Sequence, residues 1–170
     1  MKKIIVFLIG VSLGYSASAQ NNAGNPAAFW HDPVRNRKDP ESLKTVKDFL
    51  SAYQTGKKEV FASYLTDGIV WDEPGENRIS GKKTSKHEVL QMLDAMTESS
   101  AGSVKVSDIR YFDDGGNTVV CLLHWTAVQP VGRILDVLNA GVFTVENGKI
   151  TAVKLYSDNI EAENIFWGQD

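Results

Sequence analysis

The chain is short of cysteine and of long apolar runs, and it has no excess of basic residues. Cys121 is the only cysteine among 170 residues, so an internal disulfide is excluded and a folded domain must rely on its apolar core. Cys121 lies between valines and leucines, which favours a packed side chain over a nucleophile. Lys and Arg number 18 and Asp and Glu number 21, a balance that argues against nucleic acid as a partner.

Sequence motifs for cofactors and metals are also missing. The histidines and carboxylates show no spacing typical of metal ligands, and the chain has neither a phosphate loop nor a dinucleotide-binding fingerprint. We therefore expect no cofactor and no metal.

One apolar run does occur, near residue 1. Lys2 and Lys3 precede residues 4–14, which are largely apolar but too few to span a bilayer, and Ala17-Ser18-Ala19 is typical of a cleavage site. These features predict a signal peptide over residues 1–19, export to the periplasm or out of the cell, and no membrane contact after cleavage. Residues 20–38, rich in Asn, Ala, Pro and Arg, predict a flexible leader before one domain over residues 39–170.

The hydrophobic periodicity of residues 39–170 changes from helical to strand-like near residue 104. The predicted elements are a helix from Asp39-Pro40 to Gly56, a short helix through 60–65, a strand over 69–73, a helix that starts at a capping box over 85–88, strands over 104–112, 118–128, 133–146 and 149–157, and a helical turn or tail over 159–167. Consecutive strands with short connections pair antiparallel. The pattern therefore predicts an α+β fold, in which a curved antiparallel sheet wrapped by three helices encloses a conical pocket.

Several segments in this order resemble one known family. They are Phe49–Gly56, Tyr64–Trp71, Pro74-Gly75, Phe143–Ile150 and Tyr156–Asp158. Their order and spacing resemble the SnoaL-like branch of the nuclear transport factor 2-like superfamily, which includes polyketide cyclases, ketosteroid isomerases and limonene epoxide hydrolases. The resemblance covers about residues 41–158. It implies a cone-shaped, cystatin-like fold, a pocket between the first helix and the inner sheet face, and often a homodimer. It also implies enzymes that combine a carboxylate base with a hydroxyl or a protonated acid that stabilises an oxyanion.

Glu73 is the strongest catalytic candidate. The resemblance places the base of the isomerases immediately before the proline that matches Pro74. The two-residue period of a strand puts Trp71 and Glu73 on one face, where an indole and a scarcity of water should raise the pKa of the carboxyl. The alternative is a solvated acid in a turn beside Asp72 and Glu76.

The partners that would stabilise an oxyanion depart from the family pattern. The resemblance places a tyrosine at Phe49, which has no hydroxyl, whereas Tyr53 lies on the same helical face and can substitute. The protonated aspartate falls near Gly141, and Asn139, two residues earlier, can donate a hydrogen bond but is no acid. These departures argue against ketosteroid isomerisation.

Two further features leave alternatives open. Asp158 is either a second acid at the mouth of the pocket or a cap for the final turn. His124 and Trp125 point to opposite faces of one strand, so one of them enters the interior, and a lone strand histidine is more often structural or at a dimer interface.

Aromatic residues recur in the segments that would surround the pocket. The residues expected to line it are Phe49, Trp71, Trp125, Phe143 and Tyr156, although such residues also build ordinary cores. We therefore predict a domain whose apolar pocket binds a small hydrophobic molecule. It would act as an isomerase, cyclase or hydrolase through Glu73, with Tyr53, Asn139 or Asp158 assisting. The alternative is a non-catalytic binding or dimerisation module, and in either case we expect a homodimer through the outer sheet face.

Overall fold

Helices and strands occur in the computed structural model in nearly the predicted order, and the structure describes residues 39–168. The helices are α1 (Glu41–Gln54), α2 (Lys58–Ser63), α3 (Lys86–Ser99) and α4 (Ile160–Trp167), and the strands are β1 (Leu65–Glu73), β2 (Gly81–Lys83), β3 (Lys105–Asp113), β4 (Thr118–Val128), β5 (Ile134–Glu146) and β6 (Lys149–Ser157). The predicted signal peptide (1–19) and leader (20–38) lie outside the described residues, as do residues 169–170.

The six strands form one sheet in the order β2-β1-β6-β5-β4-β3. Strands β3 to β6 pair antiparallel, and the β5–β6 hairpin turns at Asn147 and Gly148, which both have positive φ as a tight turn requires. The α+β class and the curved sheet are confirmed. The sheet is mixed rather than wholly antiparallel, because β1 pairs with β6 in parallel across a long connection that contains most of the domain.

The capping box at the start of α3 forms with one difference from the simple pattern. The Ser85 hydroxyl accepts a hydrogen bond from the backbone N–H of Glu88 at 3.2 Å. The Glu88 carboxylate reaches back to the backbone N–H of Thr84 at 2.7 Å, one residue before the cap. Both bonds satisfy N–H groups that a helix start leaves without partners.

The last element is a helix rather than a loose tail. The Asn159 side chain caps α4 by accepting from the backbone N–H of Ala162 at 3.1 Å. The helix buries Glu163, Phe166 and Trp167. It therefore adds a fourth helix to the three that the sequence pattern predicts.

Aromatic residues on α1 join the helices to the inner sheet face. The Phe49 ring lies 6.1 Å from Phe61 of α2, 6.4 Å from Trp71 of β1 and 6.3 Å from Phe143 of β5, between ring centroids. Burial of such rings is the main apolar contribution to stability in a domain that has no disulfide. Three of these rings, those of Phe49, Trp71 and Phe143, also line the candidate site.

Candidate functional site

Glu73 lies inside the protein at the end of β1. Its side chain is 6% exposed, and its Oε2 accepts a hydrogen bond from Trp71 Nε1 at 2.8 Å. Burial raises the pKa of Glu73 to about 8; the Trp71 hydrogen bond and Lys83 oppose that rise, and the nearby carboxylates of Glu163 and Asp72 add to it. Glu73 is therefore not a solvated acid in a turn, and its carboxyl can hold or release a proton near neutral pH.

A second buried carboxyl, Glu163, faces the same region from α4. Its side chain is 3% exposed, and its Oε1 accepts from Asn139 Nδ2 at 3.1 Å. Burial raises the pKa of Glu163, against hydrogen bonds from Ser157 and Asn139. The sequence analysis did not find this residue, because residues 159–167 were expected to form a turn or tail. The sequence pattern that indicates it is the helical spacing of Glu163, Phe166 and Trp167 after the capping residue Asn159.

Tyr53 on α1 carries a buried hydroxyl that meets no hydrogen-bond partner within residues 39–168. Its ring lies 5.7 Å from the ring of Trp125, whose Nε1 is likewise buried without a partner there. Burial, followed by the charge of Glu73, raises the pKa of Tyr53, so its hydroxyl keeps its proton at neutral pH. Leaving a buried polar atom unpaired costs about 1–3 kcal/mol, which is why such atoms point to a ligand or to a strained site.

Asn139 lies on the inner side of β5 and is 3% exposed. Its Nδ2 donates to Glu163, whereas its Oδ1 has no partner among the described residues. Two residues on, a Cβ on Gly141 would lie 2.8 Å from Phe143 Cε2 and 2.9 Å from Leu155 Cδ2. The position where the resemblance places a protonated aspartate therefore has no room for a side chain.

An internal cavity of about 10 Å³ lies between α1, α3 and the inner sheet face. Its walls are Phe49, Leu50, Tyr53, Trp71, Leu93, Leu123, Trp125, Phe143 and Leu155. Four of the five residues predicted to line a pocket are in this set. The cavity holds about one water molecule, so a larger ligand enters only when wall side chains move.

A larger surface cleft adjoins this cavity. Its volume is about 520 Å³, and it shares Tyr53 and Leu93 with the cavity. Phe61 also lines the cleft and packs against the Tyr53 ring, with 5.6 Å between centroids. A molecule in the cleft is thus separated from the interior by the side chains of Tyr53, Phe61 and Leu93.

Neither Tyr156 nor Asp158 lines the cavity, so the prediction that Tyr156 lines the pocket is wrong. Tyr156 is 51% exposed on the outer sheet face, because strand alternation points Val153 and Leu155 inward and Tyr156 outward. Asp158 is exposed and exchanges hydrogen bonds with the backbone of Leu138, through its N–H and its Oδ1, both at 2.9 Å. It neither lines the cavity nor caps α4.

The structure also settles which of His124 and Trp125 enters the interior. Trp125 lines the cavity, and His124 lies on the outer face between two carboxylates. His124 Nε2 is 2.7 Å from Asp136 Oδ1 and Nδ1 is 3.3 Å from Asp108 Oδ2. These two hydrogen bonds raise the pKa of His124. Within residues 39–168, no three His, Cys, Asp or Glu side chains are placed to hold a metal ion.

A family profile described as SnoaL-like domain matches residues 46–153. The chain belongs to the SnoaL-like domain family. The match includes Phe49, Tyr53, Trp71, Glu73, Asn139 and Phe143, and it ends before α4, so Glu163 lies outside the matched part of this SnoaL-like chain. A search of curated proteins finds no match. None of the helices in the described part of the chain is long and apolar enough to cross a membrane.

Solved structures share the fold of this SnoaL-like domain. A protein of unknown function with a cystatin-like fold from Xanthomonas campestris is 28% identical with a TM-score of 0.71, over 75% of this chain and 98% of that one. A proposed SnoaL-like polyketide cyclase from Jannaschia sp. CCS1 is 16% identical with a TM-score of 0.62, over 79% and 99%. TerC, co-crystallised with polyporic acid, is 14% identical with a TM-score of 0.65, over 75% and 99%.

Proposed function

We propose that this SnoaL-like domain binds a small hydrophobic molecule that carries a carbonyl group, and moves a proton on it as an isomerase or cyclase does. The observation that carries this proposal is the buried carboxyl of Glu73, whose pKa of about 8 suits proton transfer near neutral pH. The carboxyl lies beside Trp71, which lines an apolar cavity. The family and the polyketide cyclase among its structural neighbours support the reaction class.

The chemistry assigns one role to each group. The ionised form of Glu73 takes a proton from the carbon next to the carbonyl, and the electrons of that C–H bond move onto the carbonyl oxygen. The Tyr53 O–H donates to that oxygen while it gains charge. Return of the proton from Glu73 to a different carbon completes an isomerisation. In a cyclisation the enolate carbon attacks a second carbonyl, whose π electrons move to its oxygen, and Glu73 returns the proton to that oxygen.

Exchange of carbon-bound hydrogen tests this proposal without knowledge of the natural substrate. The protein is incubated in D2O with 2-tetralone, a small apolar ketone, and deuterium uptake next to the carbonyl is followed by NMR. We expect the wild type to accelerate deuterium uptake. Glu73→Gln should reduce the protein-catalysed rate by about 100-fold or more, as loss of a general base does. Glu76→Gln, the same change at an exposed position three residues later, is the control and should keep the wild-type rate. Equal rates for Glu73→Gln and the wild type would refute the role of Glu73.

A non-catalytic binding module is the second candidate. The cavity of about 10 Å³ favours it, because catalysis requires a ligand to reach Glu73 past wall side chains. This alternative predicts that 2-tetralone binds, as seen by quenching of tryptophan fluorescence, with no deuterium uptake above the rate in buffer.

We also propose that the domain forms a homodimer through an outer apolar face, defined here by Phe112, Leu122, Leu138 and Tyr156. Strand pairing aligns Leu122, Ala140 and Tyr156 in one row across β4, β5 and β6. All four residues of the face are more than one-third exposed, and a contiguous apolar patch of this kind is typical of an interface.

Export through a cleaved signal peptide is a further proposal. It depends on Lys2, Lys3, the apolar residues 4–14 and Ala17-Ser18-Ala19. Expression of the full chain in a bacterial host, followed by N-terminal sequencing of the protein from the periplasm or medium, should give Gln20 as the first residue. Full-length protein confined to the cytoplasm would contradict the proposal.

A further inference from the structure

We propose that Trp125 donates the second hydrogen bond to the ligand oxygen, from its indole Nε1 beside the Tyr53 hydroxyl, and that the site therefore selects molecules with a phenolate-like or enolate-like oxygen. This inference rests on the proposed function, since it concerns the same cavity. The proposed donor lies on β4, and the sequence pattern had indicated Trp125 only as a residue that lines the pocket.

The position of the Trp125 donor supports this role. Trp125 and Tyr53 both line the internal cavity, and their ring centroids are 5.7 Å apart. Both donor atoms are buried, and neither has a partner within residues 39–168. Both side chains line the same cavity, and a single acceptor oxygen that entered between them has lone pairs for two donors.

Trp71, which lines the same cavity, provides an internal comparison. Its Nε1 donates to Glu73 at 2.8 Å, so its hydrogen-bonding capacity is used within the protein. The indole of Trp125 lies in the same wall and has no such carboxylate. Burial alone therefore does not account for the unpaired Trp125 donor, since the fold does pair the donor of the other cavity tryptophan.

At Gly141, β5 has no room for the acid that the resemblance places there. A side chain there would collide with Phe143 and Leu155, so β5 presents no acid at that point of the wall. Trp125 lies on the adjacent strand, paired with Val137 of β5. The indole thus supplies a hydrogen bond without the desolvation penalty that a second ionisable group would add to Glu73.

The donor chemistry defines the ligand class. An indole N–H and a tyrosine that keeps its proton both donate, so the atom between them must accept, and hydrogen bonds to a charged acceptor are about twice as strong as neutral ones. The rest of the wall is apolar and consists of four leucines and the aromatic rings of Phe49, Trp71 and Phe143. A flat apolar molecule with one anionic oxygen fits these requirements, and an amine or a pure hydrocarbon does not.

Binding of 4-nitrophenolate tests the inference directly. In 15N-labelled protein each tryptophan indole gives one signal, and loss of a signal in Trp125→Phe and in Trp71→Phe identifies the two cavity indoles. We expect 4-nitrophenolate to move the Trp125 indole proton downfield in a saturable way and to move the Trp71 signal less. This measurement is made on the wild type, so it stands even if a variant folds poorly.

Affinity measurements complete the test. Trp125→Phe and Tyr53→Phe should each weaken 4-nitrophenolate binding by about 10- to 100-fold, equal to the roughly 1.5–3 kcal/mol of a charge-assisted hydrogen bond. Binding of 4-nitrotoluene, which lacks the oxygen, should change by less than about threefold, a margin within ordinary mutational scatter. Melting curves of both variants, with and without ligand, show whether the fold is retained.

The outcomes separate this inference from the proposed function. If 4-nitrophenolate binds while the Trp125 signal stays fixed, or if Trp125→Phe weakens both probes equally, the inference is wrong and the role of Glu73 stands on the deuterium exchange. If neither probe binds the wild type and 2-tetralone does not exchange, the proposed site itself fails and this inference fails with it.

Discussion

At the residue scale, burial of the Glu73 carboxyl lowers stability. A carboxyl loses hydration when it is buried, so its charged form is disfavoured and its pKa rises. One hydrogen bond from Trp71 and the partly buried Lys83 offset only part of that loss. Polar groups that destabilise a fold in this way are concentrated at functional sites, which is the physical reason to single out this residue.

The first prediction is that Glu73→Gln flattens the dependence of stability on pH. Folded Glu73 keeps its proton up to a pKa of about 8, whereas the unfolded carboxyl releases it near 4.5, so the wild-type free energy of unfolding falls as pH rises between these values. The total loss of stability across this pH range is on the order of 5 kcal/mol, and none of it occurs below pH 4.5. Urea unfolding at pH 5 and pH 8.5 should show that the free energy of unfolding of the variant rises relative to that of the wild type as pH rises. Parallel profiles would mean that the carboxyl is not buried in solution.

The second prediction concerns the blocked position at Gly141. Gly141→Ala puts a methyl group within 2.9 Å of Phe143 and Leu155, and overpacking of this kind costs about 1–3 kcal/mol. Gly68→Ala is the control, because a Cβ there meets no atom within 4 Å. Urea unfolding should show the loss only for Gly141→Ala, and an equal effect of both substitutions would contradict the tight packing behind the cavity.

At the scale of elements, α4 packs against β5 and adds a buried polar contact to the interior. It brings Glu163 against Asn139 of β5 and buries Phe166 and Trp167. The charge of Glu163 on α4 also raises the pKa of Glu73 on β1. The charge state of Glu73 thus depends on a helix that lies outside the part of the chain matched by the family profile.

The third prediction follows from this coupling. Glu163→Gln removes a negative charge near Glu73 and should therefore lower the pKa of Glu73. The effects of Trp71, Asp72 and Lys83 on that pKa remain in the variant. The pH profile of 2-tetralone exchange should therefore move to lower pH, with the plateau rate kept within about threefold, since Glu163 does not carry the transferred proton. Glu161→Gln, an exposed position on the same helix, should leave the profile unchanged. An unmoved profile in Glu163→Gln would show that α4 acts on packing alone.

At the scale of the whole molecule, the two faces of the sheet have different compositions. The inner face carries the cavity aromatics, and the outer face carries the apolar set of Phe112, Leu122, Leu138 and Tyr156 beside the His124 cluster. Side chains that alternate across a strand allow both faces to be apolar at once. This sheet buries one apolar face within the domain and leaves apolar side chains of the other exposed.

The fourth prediction is that the outer apolar face holds a homodimer. Multi-angle light scattering at micromolar concentration should give twice the chain mass for the wild type. The double variant Leu122→Lys, Tyr156→Lys should give a monomer with its melting temperature lowered only by the loss of dimerisation, because both side chains are exposed in the single chain. A monomeric wild type would contradict the proposed dimer.

Periodicity and capping in the sequence determined much of this fold without reference to tertiary structure. The amphipathic spacing in α1, the Ser85 cap of α3 and the Asn147-Gly148 turn are local signals, since each depends on residues only a few positions apart. Alternation in β1 similarly paired Trp71 with Glu73 on one face. The proline after Glu73 and the segments shared with the SnoaL-like family then indicated which carboxyl to consider.

The tertiary structure alone decided what depends on distant parts of the chain. The parallel pairing of β1 with β6, the outward side of Tyr156 and the contact of Glu163 with Asn139 join residues that no local pattern relates. Burial raises the pKa of Glu73, and the charge of Glu163 on the distant α4 raises it further. The sequence by itself thus identified the carboxyl and its neighbouring indole, and only the packing of remote elements made that carboxyl a group able to exchange a proton near neutral pH.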